Sequence, residues 1–485
     1  MKHKVRIAVR YLLILFIFVF VAVSLGIGFL YRIKMPHKII KEFAVKEIRK
    51  ALQKEVEVGE LSGNLITSVK IQDIRIPRGK KLTSGTIIKI NELVAHFSLW
   101  KFLKIKTDFL GIISNVYLTD IDVQVIRDNS DYWDILHVLP PPPEGMSPPP
   151  LTFRGKVFFN NLNIAFKDEK GWAKEDLKVP FRELFSGLKG IVNYANLKKT
   201  KIKLHGIVDS SKEPISVSGF MNSYNMLMDI HFIVPKLSVN KWSKYVFPFD
   251  NFIFSDNFAS INGHIISKEK PKPREIPFFY DLDIELDSVN FLTPLFSIPF
   301  QRVKAKLALK NDGMVVNNYS AHLNSIPIQG KGNLDFQKGR INLTAKTRNF
   351  KIEKLKAAFP VTKSWKYQGI GYSNLKIKGK IEEPVISGRL YLRRAKIYAF
   401  KPTKAAIDYS YYNKKLLYEI KKAALYEGNV TGNGIVDFQY SEPKLTLDLF
   451  SKGLKIKKVF PEIEEDVTGN FNFSAKIKGN IKKYD

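Results

Sequence analysis

Apolar and polar residues alternate at every second position along most of this chain. Between 281 and 287, Leu282, Ile284 and Leu286 fall on one side and four carboxylates on the other, and Phe471–Ile477 alternates in the same way. Period-two alternation interrupted by Gly, Asn and Asp predicts β-strands joined by turns. Since no amphipathic helix long enough to link parallel strands separates these runs, we expect antiparallel strands.

A unit of about a hundred residues recurs in the second half of the chain. The segment Leu375–Ile381 has a near copy in Ala475–Ile481, and Gly330–Gln337 has one in Gly432–Gln439, with Leu343 aligned to Leu445. Between these blocks, Lys351–Pro360 matches Lys455–Pro461, and Leu237–Pro248 is a weaker copy; each predicts a short helix. A fixed period predicts modules that are added side by side and bury their apolar faces against their neighbours.

The N-terminus predicts a membrane anchor. Residues 1–10 carry four basic residues, and the next twenty-one, Tyr11–Tyr31, carry no charge. A helix of that length spans ~31 Å, close to the hydrocarbon thickness of a bilayer. A cleaved signal peptide with its site at Ala22–Ser24 is the alternative, but the apolar run continues past that site. We favour an anchor with residues 1–10 as a cytoplasmic tail and the remainder outside. Its membrane residues include Tyr11, Leu12, Phe16, Phe20, Leu25, Phe29 and Tyr31.

The remaining chain divides into segments that differ in the spacing of their apolar residues. Residues 32–58 have apolar residues at helical spacing and predict an amphipathic helix that caps the first strand edge, with a membrane-surface helix as the alternative. Residues 59–139 predict a β module, and the Pro-rich segment 140–150 predicts a linker or edge loop, or else a ligand for another domain. Residues 151–485 predict the repeats, the last of which stops before its Pro-containing continuation.

Charge and composition limit the classes of partner that the sequence predicts. The formal net charge of +32 comes mainly from lysines that alternate with apolar residues, as in Val303–Leu307. Nucleic-acid binding would favour clustered basic residues with interleaved aromatics, so we expect no nucleic-acid partner. A solvated strand face, or attraction to anionic lipid head groups, fits better. The absence of cysteine excludes disulfides, thiol nucleophiles and thiolate metal sites.

Catalytic signatures are missing from the sequence. It contains no nucleophile elbow, no phosphate-binding loop ending in Gly-Lys-Ser/Thr, and no His-Glu-x-x-His. His96, His205, His231 and His322 each lie inside an alternating run, where a metal ligand would need a partner at short spacing. We therefore expect neither an enzyme nor a protein with a cofactor or metal.

The apolar strand faces must be shielded from water by other apolar groups. A two-sheet sandwich would bury them internally. The alternative is an elongated, curved antiparallel β-groove whose apolar side holds acyl chains and whose other side carries the lysines. We select the candidate groove-lining residues by parity, that is, by taking the apolar residues that alternate onto one side of each predicted strand. They are Leu282, Ile284, Leu286, Leu334, Phe336, Leu343, Leu375, Ile377, Val436, Phe438, Phe471, Phe473 and Ile477.

Several segments taken together resemble the AsmA/TamB group of bacterial envelope proteins. They are the N-terminal apolar helix, Gly59–Ile74, Leu99–Leu103, Ile121–Asp128 with Trp133–Leu136 before the Pro-rich segment, and the repeat pattern from Lys378 to Leu390. The resemblance implies an inner-membrane anchored, periplasmic β-groove that conducts phospholipids towards the outer membrane. It also implies an outer-membrane β-barrel partner, reached through a C-terminal part. Since family members are usually longer, we expect this chain to be the N-terminal part of a longer protein.

Two other functions remain open at this point. One is a scaffold that assists outer-membrane protein or autotransporter assembly by pairing with strand edges. The other is a structural envelope protein built of stacked sandwiches.

Overall fold

The structure is a computed structural model of the 485-residue chain. It describes residues 41–42, 45–46, 49, 52–63, 67–98, 113–130, 132–138, 153–170, 179–225, 227–246, 253–255, 257–269, 278–292, 298–358, 362–363, 365–398, 400–440, 442–460, 462 and 468–480. The anchor at Tyr11–Tyr31, the linker at 140–150 and the helix expected at Leu99–Leu103 lie outside these residues.

The fold is mainly β, as the alternation predicts. The first strands are β1 (Leu61–Ser62), β2 (Ser68–Pro77), β3 (Thr86–Phe97), β4 (Ile113–Arg127), β5 (Lys156–Asp168), β6 (Phe181–Asn193), β7 (Thr200–Val208), β8 (Ile215–Asn222), β9 (Leu227–Ser238), β10 (Ile253–Phe254) and β11 (Phe258–Ser267). They continue with β12 (Phe278–Leu292), β13 (Phe300–Lys310), β14 (Gly313–Leu323), β15 (Ile326–Asp335), β16 (Arg340–Thr347), β17 (Phe350–Lys351), β18 (Tyr367–Lys380) and β19 (Pro384–Ile397). The last strands are β20 (Lys404–Tyr412), β21 (Lys415–Leu425), β22 (Gly428–Asp437), β23 (Lys444–Lys452), β24 (Leu454–Lys455), β25 (Asn470–Phe471) and β26 (Ser474–Asn480).

Helices are few and short among the residues that the structure describes. They are α1 (Val239–Val246), α2 (Leu355–Ala358) and α3 (Ile456–Val459), with 3₁₀ turns at Leu82–Ser84, Asp134–His137, Leu197–Lys199 and Ile352–Lys354. The described residues between 41 and 52 are helical as well. Among the residues that the structure describes, no helix has the length and apolar character needed to cross a bilayer.

The chain divides into two compact units. Unit 1 comprises residues 1–248 and 260–281, and unit 2 comprises residues 249–259 and 282–485. In unit 1, each strand from β1 to β9 pairs with the next one, and β11 pairs with β9.

One pair in unit 1 contradicts the antiparallel expectation. Strands β4 and β5 run parallel, from Asn115 opposite Lys156 to Arg127 opposite Asp168. A parallel pair requires a connection that returns the chain to the same end of the sheet, and the long segment 128–155 provides it. Alternation predicts strands but does not report their direction, so this pair was not visible in the pattern.

In unit 2, antiparallel neighbours run from β13 through β16 to β18 and then through β23 to β26. The short helices are insertions at strand ends, because β16 pairs directly with β18 across α2 and β23 pairs with β26 across α3. Six strands, β18–β23, separate the two helices. An even number of antiparallel strands restores the chain direction, so α2 and α3 lie at the same edge of this sheet.

The repeat also holds in the register, with one correction. Leu343 is opposite Ile377, and its counterpart opposite Ile477 is Leu447 rather than Leu445. The cause is the preceding turn, which joins Asp335 to Arg340 in the first copy but Asp437 to Lys444, two residues further, in the second. The shift of two residues keeps the same side chains on the same face.

The best-packed core lies at the start of unit 1. Leu52, Val56 and Val58 cover the apolar side of β2, β3 and β4 there. The helical residues end at Leu52, and Glu57 forms a β-bridge with Arg75, so the last part of the predicted 32–58 helix is extended. The described residues of this segment nevertheless pack against the first strands.

Candidate functional site: an apolar sheet face in each unit

Register partners place one continuous row of apolar and glycine residues across unit 2. Successive strands contribute Leu307, Val316, Gly332, Leu343, Ile377, Ile386, Tyr411, Leu416, Val436, Leu445 and Gly479. Cross-strand partners project from the same side of a sheet. We call the side carrying this row the apolar face, and the opposite side the polar face.

Unit 1 has a row of the same kind. From β2 to β9 it consists of Ile71, Leu93, Leu118, Phe159, Gly190, Leu204, Val217 and Phe232. The first three are buried in the core beneath Leu52 and Val56. From β5 onwards the aliphatic and aromatic members are half-buried, so the apolar face continues beyond the part that the N-terminal segment covers.

The two faces differ sharply in accessibility. Val315 and Val316 are consecutive residues of β14, yet the polar-face Val315 is 48% exposed and the apolar-face Val316 is 7% exposed. Ile435 and Val436 on β22 repeat the contrast, at 42% and 3%. Because neighbouring residues of one strand share the same backbone surroundings, the difference reflects what lies above each face. At these two positions the apolar face of unit 2 is less accessible to water than its polar face, and the other aliphatic members of the row are half-buried.

Aromatic rings lie over glycines on the apolar face. A Cβ added at Gly330 would lie 2.7 Å from the ring of Tyr319, and one at Gly388 would lie 2.8 Å from the hydroxyl of Tyr409. Burial raises the pKa of the Tyr319 phenol to about 12, as it also does for Tyr418. Loss of hydration disfavours a phenolate, so these rings rest in a dry environment.

The structure places six of the thirteen residues selected by parity on this face. Leu334, Leu343, Leu375, Ile377, Val436 and Ile477 are paired with apolar or glycine partners in its rows. Leu282, Ile284 and Leu286 are half-buried and alternate with exposed carboxylates on β12. Ile477, on β26, is 45% exposed.

The four phenylalanines in the selection lie at or next to strand ends. Phe336 and Phe438 follow the last residues of β15 and β22, and the ring of Phe438 contacts that of Tyr411. Phe471 belongs to the small β24–β25 pair, and with Phe473 it packs against Leu425 and Leu454 near α3. At these positions the two-residue alternation was extended into turns, where it no longer predicts the side on which a side chain lies.

Helix α1 closes one end of the apolar face in unit 1. The face ends in two buried carboxylates, Asp168 on β5 and Glu183 on β6, which are partners of Phe181 and Phe166. The Tyr245 hydroxyl of α1 donates a hydrogen bond of 2.6 Å to Asp168 Oδ2. The stacked rings of Tyr245 and Phe181 have their centroids 4.1 Å apart.

Cations compensate both carboxylates. Arg127 Nη1 lies 3.2 Å from Asp168 Oδ2, and Lys241 Nζ of α1 lies 3.0 Å from Glu183 Oε1. Ser210 Oγ donates to Glu183 Oε2 at 2.6 Å and accepts from Trp242 Nε1 at 2.8 Å. A buried charge is tolerated when it is paired and hydrogen-bonded, so this network fixes α1 over the end of the face.

Short helices take a comparable position in unit 2. Ile352 and Leu355 around α2 pack with Leu392 and Ala405. Leu454 and Val459 around α3 pack with Val430 and Leu425. The three matching sequence blocks thus correspond to three helices that cover strand ends.

The polar face carries exposed ion pairs. Lys306 Nζ lies 2.7 Å from Glu285 Oε1, and Lys304 Nζ lies 2.9 Å from Asp287 Oδ1. A bidentate contact joins Arg389 to Asp408, and its hydrogen bonds hold the pKa of the Asp408 carboxyl below its usual range. Exposed pairs contribute little to stability, so this face is mainly a solvated surface.

Comparison of the chain with protein-family models, curated proteins and solved structures found no match. The resemblance to the AsmA/TamB group therefore stays a prediction.

Parity reasoning selected no residue of the apolar face in unit 1. Leu204, Val217 and Phe232 lie in strands whose alternation was visible in the sequence. The Tyr–Gly contacts of unit 2 were not visible, since they join residues on different strands.

Proposed function

We propose that this protein binds phospholipid acyl chains on its apolar sheet faces and conducts them between membranes. The observation that carries the proposal is the contrast between Val315 and Val316. One side of the sheet offers an apolar surface sheltered from water, and the other is a charged, solvated surface. Acyl chains gain ~0.8 kcal/mol for each CH₂ removed from water, so such a face suits them.

The remaining parts of the proposal follow from the sequence. The segment Tyr11–Tyr31 would anchor the protein in the inner membrane of a bacterium, with the β-rich part in the periplasm. Lipid would move towards the outer membrane, where an outer-membrane β-barrel is the expected partner. Movement along an apolar path needs no catalytic residue or cofactor and no nucleic acid.

Paired photo-crosslinking tests the proposal. A diazirine amino acid is placed at Val315 or Val316 in one pair of variants and at Ile435 or Val436 in another, and the full chain is purified from bacterial membranes. We expect mass spectrometry to find phospholipid attached at 316 and 436 but not at their neighbours. Equal labelling of both faces, or no phospholipid on either, would contradict the proposal.

A second assay separates lipid conduction from a role as an assembly scaffold. Crosslinks from strand edges to nascent barrel proteins that survive a charged residue on the apolar face would favour the scaffold.

A further inference from the structure

A cluster of three metal-ligating side chains lies on the polar side of unit 1. Asp229 and His231 belong to β9, and His264 belongs to β11, the strand paired with β9. Side chains two positions apart on a strand project from the same side. The potential ligand atoms of these three residues all lie within 4.8 Å of one another.

The contacts inside the cluster are specific. His264 Nε2 lies 2.7 Å from Asp229 Oδ1, and His231 Nε2 lies 3.9 Å from the same oxygen. The two imidazole rings are stacked, with centroids 3.8 Å apart and planes 9° apart. One carboxylate oxygen therefore faces an Nε2 atom from each of two adjacent strands.

We propose that Asp229, His231 and His264 form a binding site for a divalent transition-metal ion such as Zn²⁺ or Cu²⁺. Two imidazoles and a carboxylate are a ligand set that these borderline ions prefer. Three protein ligands leave a coordination position for water. Calcium and magnesium are disfavoured because they require oxygen ligands.

Metal binding needs a tilt of the two imidazole rings, because in the stacked arrangement their Nε2 lone pairs do not point at one position. Ligand atoms around tetrahedral zinc lie about 3.3 Å apart, between the 2.7 Å and 3.9 Å separations found here. Asp229 and His231 are exposed and His264 is half-buried, so solvent leaves room for the two rings to tilt out of their stack. Binding would replace the His264–Asp229 hydrogen bond with two metal–ligand bonds.

The position of the cluster indicates its role. Helix α1 and the segment after it intervene between β9 and β11 in the chain. On the apolar side of the same two strands, the ring of Phe232 covers Gly263, where an added Cβ would lie 2.2 Å away. A metal ion would join the strands on the polar side opposite this contact and stabilise the pairing of β9 with β11.

Calorimetry with Zn²⁺ on the tag-free full chain in detergent micelles, stripped of metal beforehand, tests the site. We expect one zinc ion to bind per chain. His231→Ala and His264→Ala should each weaken this binding at least tenfold. His205→Ala is the matched control, because His205 is an exposed strand histidine outside the cluster. Binding that is unchanged in His264→Ala relative to His205→Ala, or that has a dissociation constant in the millimolar range, would overturn the proposal.

A second measurement identifies the ligands directly. Cu²⁺ binds such sites more tightly than Zn²⁺, and its electron paramagnetic resonance spectrum reports the number of bound nitrogens. We expect two imidazole nitrogens in the unmodified chain and one in His264→Ala. Matching melting temperatures of the metal-free variants would exclude misfolding as the cause, and an unchanged nitrogen pattern in His264→Ala would refute the assignment.

Discussion

The ring of Tyr418 on β21 lies over Gly434, its register partner on β22. A Cβ at Gly434 would stand 2.5 Å from the ring carbon Cζ and the hydroxyl oxygen, well inside any real carbon contact. Glycine at this position lets the tyrosine lie flat on the apolar face. The shape of the apolar face therefore depends in part on the absence of a side chain at Gly434.

Gly434→Ala should destabilise unit 2. The ring must leave its place over the sheet, and overpacking of this kind costs about 1–3 kcal/mol. The matched control is Gly479→Ala, because no atom lies within 4 Å of a Cβ added at Gly479. Thermal unfolding followed by circular dichroism should show a lower midpoint for the first variant only, and equal midpoints would contradict this account.

Tyr245→Phe should loosen α1 from the end of the apolar face in unit 1. The change keeps the ring that stacks on Phe181 but removes the donor to the buried Asp168. A buried acceptor that loses a partner costs about 1–3 kcal/mol. Hydrogen exchange should become faster in α1.

The control for this change is Tyr224→Phe, since Tyr224 is exposed in a turn. Equal exchange in α1 for both variants would show that the Tyr245–Asp168 hydrogen bond does not hold the helix.

Alkaline pH should destabilise unit 2 through its apolar-face tyrosines. Burial raises the pKa of Tyr319 and Tyr418 to about 12, against about 10 for a tyrosine in an unfolded chain. The folded state retains protons that the unfolded state loses, so this contribution to stability is complete below pH ~10 and is lost as the pH rises through ~12.

Phenolate absorbance and the melting temperature, followed over the same pH range, check this prediction. Tyr418→Phe should reduce the alkaline loss of stability, whereas Tyr412→Phe, at a more exposed position on β20, should not. A phenolate titration of Tyr418 with its midpoint near pH ~10 would contradict this account.

Ile386→Asp should block lipid transfer, and Val385→Asp should not. These residues are neighbours on β19, but Ile386 is paired with Ile377 on the apolar face, while Val385 is paired with Lys378. A carboxylate in the path of an acyl chain must be desolvated, and a cost of 1.4 kcal/mol already corresponds to about a tenfold loss. Transfer of a fluorescent phospholipid between vesicles measures the effect.

Both Asp variants must retain the circular dichroism spectrum of the parent chain. Comparable transfer rates for the two would argue against a lipid path on this face.

The sequence by itself determined the strands, their faces and the repeat. Alternation is a local property that follows from the two-residue period of a strand, so Ile377 and Lys378 could be assigned to opposite sides without coordinates. The three short helices could likewise be located from matching blocks. The assignments of Phe336, Phe438, Phe471 and Phe473 stay predictions, because these residues lie at or next to strand ends, where the two-residue period stops.

The tertiary structure decided which strands are neighbours. Direction and register depend on contacts between residues far apart in the chain, so the parallel β4–β5 pair, the Leu343–Leu447 correspondence and the Tyr418–Gly434 contact could not be read from alternation. The same applies to His231, whose neighbour Asp229 is two residues away in the sequence but whose second histidine is not. Its partner is His264 on the paired strand, because strand pairing brings together side chains that the sequence separates.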